Sequence, residues 1–374
     1  MLGQASWLLA SQSVEAYITE IGGHLGPVIF DRKGKKWQPY SVAPWAEESI
    51  DSSLPAILKV LRGDFFCLPF GGNGTPYKKE KHPVHGETAN AKWKFNGIQS
   101  ANGETSIHLS LDTNVRKGQV DKKIMLKDGE NNIYSRHVIS GMKGPMNFGH
   151  HAMIRFPDAV GSGRISTSRF VYGQVFPGAF EKPEDKGYSI LKPGAAFGSL
   201  QKVPMINGET TDLTVYPSRR GFEDLVMFIH DDQLPFAWTS VVFAKEGYLW
   251  FALKNPRILR NTIFWISNGG RHYAPWSGRH INVMGIEDVT SYFHYGIGES
   301  AQKNALSAQG FPTTVELNPK APTTVPYIMG AAPVPAGFAQ VESIEALADS
   351  SGITITSVKG KKIVVPVDLK FLEA

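Results

Sequence analysis

The chain has 374 residues, 42% hydrophobic and 20% charged, with a net charge of +5; this is an ordinary balance for a globular protein in water. Lysines and arginines are scattered, with short clusters only at 32–36 and 78–81, which argues against a nucleic-acid partner. A single cysteine, Cys67, excludes an internal disulfide and a cysteine metal site, and no apolar run reaches membrane-spanning length.

Residues 1–10 lack a basic start and do not read as a signal peptide, so a cytoplasmic protein with no membrane partner is expected. Glycine (38) and proline (24) are enriched, as a turn-rich, strand-rich chain requires. In chain order, residues 53–61 predict a short helix, with a serine in capping position, an early proline, and Gly63 as its stop. The run Phe65-Phe66-Cys67-Leu68 buries Cys67 as an inert thiol. Gly71-Gly72-Asn73-Gly74 follows without the lysine of a phosphate loop, so it is either a tight turn or a close approach to a ligand.

His82-Pro83-Val84-His85-Gly86-Glu87, with Trp93 beyond it, places two imidazoles and a carboxylate on a loop set by proline and glycine. Such groups move protons near neutral pH. Ile107, Leu109 and Leu111 share one face of a strand, and Asp128-Gly129 marks a turn. In Gly149-His150-His151 the two histidines point to opposite faces of a strand, so only one of them can face a given pocket. Tyr248, Trp250 and Ala252 alternate with Leu249, Phe251 and Leu253 in a strand buried on both faces, and residues 263–266 are similar. Glu287 ends an apolar strand at 281–286, a position equally suited to a base or to a surface residue.

Residues 299–307 and 343–348 predict two more short helices, and residues 319–335, rich in Pro, Ala and Thr, predict a surface crossing. Ile353-Thr354-Ile355 and Ile363-Val364-Val365 flank Lys359-Gly360-Lys361 as a hairpin. No long helices alternate with the strands, which excludes a doubly wound α/β sheet. The expectation is an all-β protein: one large antiparallel β-sandwich domain over residues 1–374, with a few short helices.

Four segments, in order, resemble the aldose 1-epimerase (galactose mutarotase-like) superfamily over most of the chain. Residues 14–29, with Gly22-Gly23-His24-Leu25-Gly26-Pro27, resemble its opening strand pair and glycine turn. His85-Gly86 with Trp93 resembles its His-Gly followed by Trp, and Gly149-His150-His151 its Gly-x-His. Met284-Gly285-Ile286-Glu287 resembles its catalytic glutamate strand. The resemblance implies a supersandwich fold and an isomerase that interconverts the anomers of a small-molecule carbohydrate, with no cofactor and no metal. Ring opening needs a base for the C1 hydroxyl proton and an acid for the ring oxygen. The resemblance assigns these to Glu287 and His151, with His85 bonding the sugar and Arg62 as a substrate-contacting arginine.

Trp265 and Trp276 can face a sugar ring or pack in the core, and His150 is a further candidate contact. For the family's substrate-binding aspartate, Asp224, Asp231 and Asp232 all compete, with Asp232 carried as the candidate. His82 is expected to be structural and Glu87 to be a local loop or pocket residue. Two departures stand out. Ala152-Met153-Ile154 follows the second histidine where the family has Pro, Ser or Thr and then an aromatic. Glu87-Thr88-Ala89-Asn90 occupies the stretch where hexose-6-phosphate epimerases carry an arginine, which counts against a phosphosugar. They leave open a non-catalytic carbohydrate-binding protein of the same fold, and a metal-dependent sugar isomerase or lyase built on His82, His85 and His151.

Overall fold

Two large antiparallel sheets face each other in a computed structural model that describes residues 1–373. The nine-stranded sheet runs, from one edge to the other, Val215–Tyr216, Gly163–Thr167, Ala237–Phe243, Tyr248–Lys254, Thr323–Pro333, Asn132–Ser140, Gly118–Lys127, Glu104–Thr113 and Lys94–Ala101. At the centre of the eight-stranded sheet lie Phe222–His230, Asn261–Asn268 and Val283–Thr290, followed by Phe148–His150 and Phe66–Cys67. Ala152–Arg155 also pairs with Val283–Thr290. Three-stranded sheets flank the sandwich at the start of the chain (Ser6–Ala10, Glu15–Thr19, Leu25–Ile29) and at its end (Val341–Ala346, Gly352–Ser357, Lys362–Pro366). The expected all-β sandwich is therefore the observed fold.

Period-two alternation assigns each strand face to a different apolar layer. Trp250 and Ala252 pack between the sheets, while Leu249, Phe251 and Leu253 pack outward beneath the C-terminal sheet. Likewise Val226, Phe228, Phe264 and Ile266 face inward, whereas Leu225, Met227, Ile263 and Trp265 face the opposite way, into a third apolar layer. The predicted hairpin is present, with Ile353 opposite Val365 and Ile355 opposite Ile363.

Four sequence expectations need correction. The helix expected at 299–307 is replaced by one short helical turn at Ile297–Ser300 and a tighter turn at Ser307–Gln309. Residues 343–348 do not form a helix: Val341–Ala346 is a strand paired with Gly352–Ser357. A register shift between Val341 and Ser343 turns both Val341 and Ile344 inward, so a bulged strand has the three-residue apolar spacing of a helix. Residues 319–335 are not a surface crossing. They contain Thr323–Pro333, a central strand whose Val325, Tyr327 and Met329 are buried between the sheets. The helix expected at 53–61 shrinks to Ala56–Val60, and Ser53 does not cap it. Ser53 bonds Asp51 instead, and Asn90 Oδ1 accepts the Ile57 N–H at 3.0 Å.

The interior of the sandwich also holds a polar link between the sheets. Asp288 accepts from Lys254 and Thr262, and from the Tyr327 hydroxyl at 2.7 Å. Both Asp288 and Lys254 are buried. Burial is the first influence on Lys254, lowering its pKa to about 8, and the Asp288 carboxylate opposes it. Such a pair costs desolvation, yet removing one partner strands a buried charge. Lys254→Met is therefore expected to destabilise the protein by about 3–5 kcal/mol in urea denaturation. Replacing both, as Lys254→Met with Asp288→Leu, should recover much of that loss.

Candidate active site

A cleft of about 110 Å³ opens on the outer face of the eight-stranded sheet. Its deepest polar groups come from three separate chain segments: Glu287, His151 and His85, with exposures of 1%, 3% and 5%.

Glu287 lies in the middle of Val283–Thr290, paired with Ile263 on the neighbouring strand. Alternation turns Val283, Glu287 and Val289 toward the cleft layer and Met284, Ile286 and Asp288 toward the sandwich interior. Gly285 shares the face of Glu287. A Cβ there would lie 2.8 Å from Glu287 Oε1 and 3.0 Å from the Trp265 Cβ, so glycine leaves room for the carboxylate.

His151 joins Phe148–His150 to Ala152–Arg155, both of which pair with Val283–Thr290. Its N–H donates to Phe65 O at 2.9 Å and its ring stacks on Phe65 at 4.5 Å. This holds His151 Nε2 3.2 Å from Glu287 Oε1. His151 Nδ1 and Glu287 Oε2 are buried without a protein partner, and buried polar groups ordinarily have one.

His85 reaches the site on its loop through a left-handed backbone, φ +58°, followed by Gly86 at φ +75°. A Cβ on Gly86 would lie 1.9 Å from Leu68 O, so only glycine lets the two segments meet. The His85 N–H donates to Gly71 O at 2.7 Å. The Gly71 N–H approaches His85 Nδ1 at 3.4 Å, and His85 Nε2 lies 3.1 Å from His294 Nε2. An amide N–H can only donate, so this network assigns the His85 proton to Nε2, which donates to His294. The glycine loop thus ties His85 to His294, whose own carbonyl accepts the Gly72 N–H at 2.7 Å.

Burial dominates the electrostatics. It raises the Glu287 pKa well above the ordinary 4.5, partly countered by the Arg271 charge. It pushes His151 and His85 well below 6.5, with nearby imidazoles adding to the effect, His294 first in each case. His294 falls to about 4, through burial and then Arg271. In a dry site the neutral forms of acid and imidazole are favoured. Arg271 is the one cation among the cleft-lining residues. Its Nε donates to Glu181 Oε1 at 2.6 Å, and its guanidinium lies over the Trp276 ring at 4.7 Å. Glu223, raised to about 7 by burial, stands 3.8 Å from Arg271 and accepts from Trp265 Nε1 at 2.8 Å.

The structure thus brings together Glu287, His151, His85, Trp265 and Trp276. Three other candidates lie elsewhere. Arg62 is buried away from the cleft and donates to the carbonyls of Met1, Leu2 and Val60, which anchors the start of the chain. His150 turns to the sandwich interior, 2.8 Å from Asp64 Oδ2 and stacked on Tyr327, because one residue along a strand reverses the side. Asp232 is exposed and accepts from Gln233 Nε2. Of the alternative aspartates, Asp224 caps the amides of Ile190 and Leu191, and Asp231 pairs with Arg169. His82 bonds Glu80, which Arg116 grips, while Glu87 accepts amides of Asn114 and Val115. Among the described residues, no group of three or more His, Cys, Asp or Glu has a metal-holding arrangement.

His294 escapes the sequence reading, and Arg271, though it closes the stretch that begins at Trp265, receives no role there. Arg271 follows the glycine pair Gly269-Gly270, a signal of close backbone approach; His294 sits in an aromatic-rich loop with no motif around it.

No protein-family model matches the chain, and no curated protein matches it. Solved structures do. A galactose mutarotase-like protein from Clostridium acetobutylicum superposes with a TM-score of 0.62 at 14% identity, over 88% of this chain and 96% of that one. A candidate aldose 1-epimerase from Escherichia coli K12 gives 0.58 at 12%, over 89% and 100%. A galactose mutarotase related enzyme from Lactobacillus acidophilus gives 0.56 at 12%, over 88% and 97%. The chain therefore has the galactose mutarotase-like fold. Among the described residues, no helix is long and apolar enough to cross a membrane.

The buried carboxyl has a consequence for stability. Below its ordinary pKa Glu287 is protonated whether the chain is folded or not. Above that pH the unfolded chain releases the proton while the folded protein retains it, so stability is lost as pH rises through the window. Glu287→Gln is accordingly expected to melt higher than the unmodified protein, with a gap that is absent near pH 4 and widens toward pH 8 in thermal melts.

Proposed function

We propose that this protein is an isomerase that interconverts the anomers of a small aldose by acid–base ring opening. The observation that carries the reading is the 3.2 Å contact of His151 Nε2 with Glu287 Oε1 at the base of one buried cleft, with His85 beside it. The galactose mutarotase-like fold supports it, but fold by itself does not determine chemistry.

Glu287 and His151 hold one proton between them. With the proton on His151, the Glu287 carboxylate takes the proton of the C1 hydroxyl. As the electrons of that O–H bond form the carbonyl, the C1–O5 bond breaks and His151 protonates O5. Rotation about C1–C2 and the reverse transfers close the ring on the other face, restoring both groups. The neutral pair favoured by burial becomes the charged pair by transfer of a single proton over a short contact, and the Arg271 charge favours the Glu287 anion. His85 is placed to bond the sugar, and His294 orients it through the Nε2 contact. Trp265 and Trp276 line the same cleft and give it apolar wall beside the Arg271 guanidinium.

Glu287→Gln is expected to lower the rate of anomer exchange by at least about 100-fold, the smaller end of general acid–base contributions, with the fold retained by circular dichroism. Polarimetry of freshly dissolved sugars, or NMR exchange spectroscopy, reads this; a fully active variant refutes the assignment. Retained sugar affinity in an unmodified protein with no exchange would instead identify a non-catalytic binding protein. Gly285→Ala leaves every catalytic group present but crowds the Glu287 carboxylate. Its kcat is expected to fall about tenfold or more, as displaced catalytic geometry does, with a far smaller change in KM.

A further inference from the structure

The cleft changes character with depth. Glu287, His151 and His85 sit buried at its base, whereas Leu58, Val84 and Phe180 are only half-buried and form its mouth. Ile57 and Leu61 continue the mouth inward. None of these five side chains offers a hydrogen bond. A sugar bound with C1 and O5 at the acid–base pair would set its far-side substituents near this hydrocarbon. A hydroxyl held against these five side chains would lose water without gaining a partner from them, whereas a hydrogen or methyl group would lose nothing.

Charge points the same way. Arg271, the one lysine or arginine lining the cleft among the described residues, is paired through Nε with Glu181 at 2.6 Å and has Glu223 at 3.8 Å. The Glu287–His151 pair, sharing one proton, adds no net positive charge. An anionic substrate would meet no excess of positive charge, because Glu181 offsets the Arg271 charge and no second lysine or arginine lines the cleft. Resting on the isomerase reading above, we propose that the substrate is a neutral, hydroxyl-poor sugar of the deoxyhexose class, and that the cleft rejects sugar phosphates and sugar acids.

The test is a set of anomer-exchange measurements by NMR on D-galactose, D-glucose, their 6-deoxy and 4-deoxy counterparts, D-glucose 6-phosphate and D-glucuronate. At least one deoxy sugar should exceed its parent hexose in kcat/KM by about 10- to 100-fold, the discrimination a hydrophobic pocket achieves against an added hydroxyl. The phosphate and the acid should not be turned over. Leu58→Asn, at a half-exposed position that tolerates a polar side chain, should narrow the deoxy preference several-fold. Glu181→Gln removes the charge that neutralises Arg271, and should bring glucuronate turnover into the measurable range. Parent hexoses equal to or better than every deoxy sugar, or efficient turnover of the phosphate by the unmodified protein, would overturn the proposal while leaving the isomerase reading intact. If no sugar is turned over, the isomerase reading fails. Titration calorimetry with the same sugars then decides the ligand class alone: tighter binding of a deoxy sugar upholds it, and equal or absent binding overturns it.

Discussion

The strand Val283–Thr290 carries two consecutive carboxylates, and the pleat sends them to opposite sides of the sheet. Glu287 enters the cleft against His151, while Asp288 enters the sandwich interior and bonds Lys254 and Tyr327 on the facing sheet. The same reversal separates His150 from His151 on the adjoining segments. A one-residue slip would place the shorter Asp288 in the cleft and the longer Glu287 opposite Lys254, so neither side chain would fit the partners that the native register gives it. The register is held from both flanks, by Glu287 opposite Ile263 and by Ile286 opposite Ala152. The buried link between the sheets and the Glu287–His151 contact are therefore set by one alignment.

Burial gives this site its chemistry and also opposes its stability. Glu287 and His151 are moved toward their neutral forms by the same loss of water, in opposite pKa directions. Two groups whose affinities for a proton converge can exchange it with little cost, which is what a reversible ring opening asks of an acid and a base. Arg271 acts on this balance through its charge while its own Nε is bonded to Glu181. An unpaired cation at that place would favour the Glu287 anion more strongly and weaken it as a base.

The sequence makes the sandwich legible because strand alternation is local. Leu249, Phe251 and Leu253 declare one face and Trp250 and Ala252 the other without reference to any distant residue. The proposed catalytic set is legible for a different reason: the resemblance that marks His85, His151 and Glu287 rests on short patterns, and in two of them the glycines, Gly86 and Gly285, are needed sterically. What fails is whatever depends on partners far along the chain. The apolar spacing of Val341 and Ile344 is the same for a helical turn and for a bulged strand, and only pairing with Gly352–Ser357 separates them. Arg62 has the chemistry of a ligand-binding arginine, yet the carbonyls of Met1 and Leu2 engage it. His294 has no local signal at all, since its meaning comes from a contact with His85, 209 residues away.

Under the proposed function, that contact bears on how a sugar would enter. His85 donates its Nε2 proton to His294, so in the free protein the donor that faces the cleft is already used. A sugar oxygen that accepts from His85 must take the place of His294, and the exchange is one hydrogen bond for another rather than a gain. By contrast, Glu287 Oε2 and His151 Nδ1 have no protein partner to give up. Bonds formed there are net gains, because an unsatisfied buried polar group is the costly state. Affinity for a sugar should therefore come from the acid–base pair and the aromatic walls. The His85–His294 contact instead determines which orientation of the sugar is worth the exchange.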